Sequence, residues 1–109
     1  MISRDLQTAL GEFKESVQRA FGPRLERVVL FGSFARGLVH EESDVDLLVL
    51  LAFRQPGDGA LAVQAAVEVM LRRPEWVLSP LVMTVDELRE LRARERRLAQ
   101  DIDREGVPL

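Results

Sequence analysis

The chain has no cysteine. That excludes disulfides and thiolate metal sites and suits a reducing compartment, so a cytoplasmic location is expected. Lysine occurs once, as Lys14, and every other basic side chain is arginine. Histidine also occurs once, as His40, with no second histidine or cysteine to share a metal, so it reads as an ordinary loop residue. Long apolar runs are missing too. The longest, 47–53, falls far short of the roughly 20 residues that a membrane span needs. The first residues lack the basic-then-apolar pattern of a secretory leader, and no membrane role is expected. A net charge of −3 provides no global positive field, which argues against bulk nucleic-acid binding but leaves room for a local nucleotide site.

What is present describes a globular domain. With 109 residues, 47% hydrophobic and 30% charged, the chain has a core's worth of apolar residues and no linker or repeat, so a single domain over 1–109 is expected. Ser3 can cap a first helix whose apolar positions Leu6, Ala9, Leu10, Phe13, Val17 and Phe21 form one stripe, ended by Gly22-Pro23. The β-branched and aromatic run 25–31 reads as a strand. A short helical turn is expected over 34–36, released by Gly37. A second strand follows over 45–53, apolar on both faces after Asp46 and therefore central in its sheet. The segment 54–59 is a loop.

A helix is expected over 60–73, opening at Ala60 and closing at Arg73. Only Gln64, Glu68 and Arg72 form a polar line on it. A helix apolar over so much of its girth is deeply buried or covered by another chain, and in so small a domain a partner on part of it is expected. The third strand, 76–84, carries Pro80, which cannot donate to a ladder. That places the strand at an edge or at a bulge. Thr84-Val85-Asp86-Glu87 is a capping box for a last helix running to about Glu105, with Leu88, Leu91, Leu98 and Ile102 inward and an ion-paired face over 89–97. The order of elements predicts an α/β (α+β) sandwich around a small mixed sheet.

The chemistry concentrates in 28–53. An apolar strand stops at Gly32-Ser33, and Ser43-Asp44-Val45-Asp46 opens the next. Residues i and i+2 of a strand face the same way, about 7 Å apart, so Asp44 and Asp46 project together. Two ionised carboxylates at the mouth of a buried strand need a cationic partner. Mg²⁺ suits them, since it prefers carboxylate, water and phosphate oxygens to an all-protein cage. Gly32 lets a backbone approach a phosphate closely. The Ser33 hydroxyl, the N–H groups that follow and the Arg36 fork can donate to its oxygens.

This conjunction, Phe31-Gly32-Ser33-Phe34-Ala35-Arg36-Gly37 followed by Ser43-Asp44-Val45-Asp46-Leu47-Leu48-Val49, resembles the signature of the DNA polymerase β-like nucleotidyltransferase superfamily, and within it the minimal nucleotidyltransferase (MNT) type. The resemblance implies a nucleotidyltransferase fold, ATP or another nucleoside triphosphate as substrate, one or two Mg²⁺ ions, and transfer of a nucleoside monophosphate to a hydroxyl. By motif position it implies Asp44 and Asp46 as catalytic metal ligands. Gly32, Ser33 and Arg36 fall in the triphosphate site, and Ser43 positions the carboxylate loop. Minimal members pair with a small helical HEPN-type protein, and the resemblance implies an antitoxin that adds AMP to a tyrosine of that partner. Small-molecule members carry a further helical domain, for which this chain has no room.

One part of the pattern is missing. Full catalysts of the superfamily carry a third carboxylate on the next strand, and the matching position here falls near Ser79, which can neither act as a base at neutral pH nor supply a formal charge. Glu75 and Asp86 lie too far along the chain to substitute. The alternative to an enzyme is therefore a catalytically weak or inactive nucleotide-binding module that acts by contact through the 60–73 helix, either on a partner or by self-association. Trp76 is read as packing rather than as a base-stacking platform.

Overall fold

A computed structural model describes residues 3–32 and 44–109. The helical turn expected over 34–36 and the loop after Gly37 lie outside those residues. Helix α1 spans Arg4–Phe21 and begins as expected, the Ser3 hydroxyl accepting from Leu6 N–H at 3.2 Å. All six residues of its apolar stripe are buried. A 3-10 turn, Gly22–Arg24, leads into β1, Leu25–Phe31, which is antiparallel to β2, Val45–Leu51. Helix α2, Asp58–Arg72, crosses to β3, Leu78–Thr84, which lies parallel to β2. Helices α3, Val85–Ala93, and α4, Arg97–Glu105, follow, and a two-residue strand β4, Val107–Pro108, closes the chain.

The described residues thus form four helices and a four-stranded mixed sheet of order β3-β2-β1-β4. Strand alternation divides the core in two. Val28, Leu30, Val45, Leu47, Val49 and Leu51 face α1 and α2, whereas Val29, Leu48, Leu50 and Met83 face α3 and α4. β2 is an interior strand, paired on both sides, as its two-sided apolar sequence requires. β3 is the edge strand that Pro80 demands. No bulge is needed, because the pairing runs unbroken from Val45–Leu78 to Leu51–Thr84. At the far end of β3 the capping box forms, with Glu87 N–H donating to the Thr84 hydroxyl at 3.1 Å.

Two expectations need correction. The last helix is not continuous: it breaks at Arg94–Arg96, where Glu95 takes φ 52. A straight helix of that length would run some 30 Å and carry its C-terminal apolar residues off the sheet. Folding back instead buries Ala99 and Ile102 beside Leu88, and Arg92 clasps Asp103 at 2.7 Å to hold the pair of helices together. The second difference is β4, which pairs Val107 with Leu30 and Pro108 with Val29. Gly106 permits this return, since a Cβ there would stand 2.7 Å from Val29 Cγ1.

On α2 the buried residues are small: Ala62, Ala65 and Ala66, with Val69. The larger apolar side chains look outward, Leu71 being 79% exposed, Val63 52% and Val67 40%. Alanines let α2 lie close to the sheet while its branched residues form an uncovered stripe.

The start of α2 is held by a clamp that the sequence concealed inside an apparent loop. Asp58, 2% exposed, accepts from Arg24 Nη1 and Nη2 at 3.0 and 2.8 Å and from Gln55 N–H at 2.7 Å. The Arg24 guanidinium lies 5.5 Å from the Phe21 ring centre and 5.4 Å from that of Phe53. The Arg24 hydrogen bonds, above all, hold the Asp58 carboxyl below the ordinary carboxylate range. A depressed pKa contributes stability above the unfolded value, and that contribution is lost as pH falls through the folded one. Asp58→Asn is therefore expected to lower the melting temperature at pH 7 by roughly 10 °C, as breaking a buried charge pair does in a domain of this size. The deficit should shrink as the pH drops below the carboxylate range, in melts followed by circular dichroism.

Candidate active site

The site is assembled where β1 ends and β2 begins. The antiparallel register sets Phe31 opposite Asp46, and the parallel register sets Asp46 beside Ser79. Phe31, Asp46 and Ser79 thus form one row across three strands, on the face that Leu48 and Leu50 share with α3 and α4. The next row, Val29-Leu48-Leu81, belongs to or packs on that apolar cluster. The polar row lies one step beyond it, and both Asp46 and Ser79 are half-buried.

Gly32 turns the chain away from this row with φ +76, a conformation that side chains other than glycine's rarely allow. The side of Gly32 where a side chain would stand faces the Asp46 carboxylate. A Cβ placed there would collide with Asp46 Oδ2 and sit 3.2 Å from Cγ. The acid of the second strand therefore meets the bend after the first.

Asp44 is exposed, one residue ahead of β2. By alternation it faces the same way as Asp46. The electrostatics agree: burial pushes the Asp46 carboxyl above its ordinary value, and the neighbouring charge of Asp44 adds to the shift. Among the described residues, no side chain forms an ion pair or hydrogen bond with Asp46. The cationic partner that the sequence demanded is therefore not supplied by any described side chain. The donor set of two hard carboxylates beside a bend without a Cβ fits a divalent cation carrying phosphate oxygens.

Ser33, Arg36, Ser43 and His40 lie outside the described residues. Ser79 falls in register with Asp46, at the position that counting along the chain assigned to a third acid. Glu75 and Asp86 are exposed beyond the two ends of β3 and do not join the row. No group of three or more His, Cys, Asp or Glu side chains suited to a metal occurs among the described residues. Trp76 packs against the larger core cluster, as expected. Phe31 was missed as a neighbour of Asp46, since cross-strand pairing has no local sequence signal beyond the strands themselves.

Solved structures share this fold. The crystal structure of a toxin–antitoxin pair, MntA-HpeT carrying an aspartate-to-glutamate double mutation, matches with a TM-score of 0.59 at 21% identity, over 87% of this chain and 68% of that one. A protein proposed to be a minimal nucleotidyltransferase matches with a TM-score of 0.60 at 24% identity, over 95% of both chains. In sequence, MJ0141 of Methanocaldococcus jannaschii, proposed to be a protein adenylyltransferase, is 52% identical over 40 residues, 37% of this chain and 40% of its own length. MJ1305 of the same organism, proposed to have the same activity, is 46% identical over 50 residues, 46% of this chain and 34% of its own. The matched segments thus span well under half of these relatives. The profile of the nucleotidyltransferase domain family, by contrast, aligns with residues 10–103, nearly the whole chain, and to that family this protein belongs.

Proposed function

We propose that the domain transfers a nucleoside monophosphate, AMP from ATP, to a hydroxyl of a protein partner, as the antitoxin of an MNT–HEPN pair. The observation that carries this reading is the contact of the Asp46 carboxylate with the Gly32 bend. It leaves a partly buried acid, neutralised by no described side chain, where a polyphosphate can approach the backbone.

In this reading Asp44 and Asp46 hold Mg²⁺, which when bound offsets the charge on the phosphate oxygens. Gly32 and Ser33 cradle the triphosphate, assisted by Arg36, and Ser43 orients the loop that leads into the acids. The acceptor oxygen forms a bond to the α-phosphorus as the bond to pyrophosphate breaks, and the hydroxyl proton leaves to solvent or to a carboxylate. The chain's own contribution is to fix the α-phosphate in line with the acceptor. The names of the similar proteins support the substrate and the setting. They include proposed protein adenylyltransferases and a toxin–antitoxin structure with AMP-PNP.

The uncovered stripe of α2 supports a protein partner. Val63→Glu combined with Leu71→Glu is expected to weaken partner binding at least about tenfold in calorimetry, a change of roughly 1.4 kcal/mol. The fold should persist, because both side chains are more than half exposed.

α-³²P-labelled ATP incubated with the purified pair tests the activity. Label should appear on the partner and vanish with Asp44→Asn or Asp46→Asn. The second reading, a nucleotide-binding module that acts by contact alone, is favoured by one feature, the serine at position 79. It wins if no label is transferred while those variants still neutralise the partner.

A further inference from the structure

Among the described residues, the row that holds Asp46 has two other members, and neither carries a charge. On one side stands Phe31, on the other Ser79. Neighbouring strands lie about 4.8 Å apart, so the Cβ atoms of Asp46 and Ser79 are within one carboxylate's reach of each other. The pairing around Ser79 is uninterrupted and its backbone is fixed by the ladder to β2. Its hydroxyl forms no hydrogen bond with a described residue. An acid at position 79 would therefore stand beside Asp46 on the same face of the sheet, where an uncharged side chain now lies.

From this we infer that Ser79 keeps the free domain from retaining a divalent cation, so that cation and nucleotide bind only together. The inference rests on the reading of Asp44 and Asp46 as cation ligands. Two carboxylates, one of them exposed, compete poorly with water for a small hard cation. Mg²⁺ is ordinarily held by one or two carboxylates only when substrate phosphates complete its shell. The Gly32 bend brings those phosphates to the Asp46 side of the row. A cation delivered with its triphosphate thus finds a full set of oxygens, whereas a bare cation finds half of one. An acid at position 79 would remove this dependence by supplying the missing charge from the protein.

Mn²⁺ alone, titrated into the purified domain and followed by electron paramagnetic resonance of the free ion, reads this directly. Ser79→Asp should bind Mn²⁺ at least about tenfold more tightly than the natural chain. Ser79→Asn, of the same size without the charge, should show no gain. Thermal melts supply a second readout. Mn²⁺ should raise the melting temperature of Ser79→Asp clearly and that of the natural chain very little, until a non-hydrolysable ATP analogue is added. If Ser79→Asp does not fold, Ser79→Glu serves the same comparison. Tight Mn²⁺ binding by the natural domain without nucleotide would overturn the inference, as would an equal gain in Ser79→Asn or no gain in a folded acidic variant. None of these measurements needs a transfer reaction. Label transfer without the Ser79→Asp gain removes only this inference, and the gain without label transfer removes only the proposed activity.

Discussion

Asp46→Asn is expected to lower nucleotidyl transfer by a factor of about 10³ or more and, in the same protein, to raise the melting temperature by roughly 2–4 °C. The two effects share one cause. Asp46 is half-buried, stands beside the charge of Asp44 and has no cationic partner among the described residues, so its ionised form is costly in the folded state. The folded pKa lies above the unfolded one. The cost is therefore present at neutral pH and is relieved as pH falls through the raised value, where the natural chain takes up a proton. Asparagine keeps the shape and removes the charge. Its stabilising effect should be largest near pH 7 and disappear in acid. Mg²⁺ with an ATP analogue should stabilise the natural domain and leave Asp46→Asn unmoved. Differential scanning calorimetry at two pH values, with and without nucleotide, measures all of this. An unchanged or lower melting temperature in Asp46→Asn would mean that the carboxylate is neutralised in the apo protein. A stability gain bought with lost activity is what a functional site held in a strained electrostatic state produces.

Gly32→Ala comes second in expected size, with nucleotide affinity falling by about 10² or more. Two costs coincide at this residue. At φ +76 any side chain is strained, by roughly 1–2 kcal/mol. The added methyl would also occupy the place of Asp46 Oδ2, so either the bend or the acid must move. Moving the acid spoils the cation site, and moving the bend withdraws the backbone from the phosphate. Nucleotide titration by calorimetry should show the loss, together with a drop in melting temperature, the opposite sign to Asp46→Asn. That contrast separates removal of a charge from removal of the space beside it. If Gly32→Ala binds nucleotide normally, the close approach seen here plays no part in recognition.

Much of this protein was legible in the chain because its determinants are local. The Ser3 cap, the α1 stripe, the Thr84 capping box and the two-sided apolar β2 depend on residues within a few positions of one another. Periodicity and capping chemistry report them directly. Pro80 located an edge strand through a single missing N–H. The glycine-serine bend and the paired aspartates, read together, led to the family. What stayed hidden depends on which distant residues meet. The stretch Arg92 to Arg97 reads as helix surface, and the reversal within it has no local signal. Burial of Ala99 and Ile102 against Val29 and Leu48 selected the reversal. Asp58 looked like a turn residue until Arg24, thirty-four positions earlier, closed on it between two phenylalanine rings. The direction in which the large side chains of α2 point was settled by the sheet it packs on.

The sequence alone determined that this is a small α/β nucleotidyltransferase with its acids at the mouth of a central strand, because motif spacing and apolar periodicity act over short stretches of chain. The tertiary structure decided that Asp46 lies against Gly32 and beside Ser79, and that no described side chain neutralises it. Strand register sets those meetings, and register follows from the packing of both sheet faces at once, which no single stretch of residues encodes.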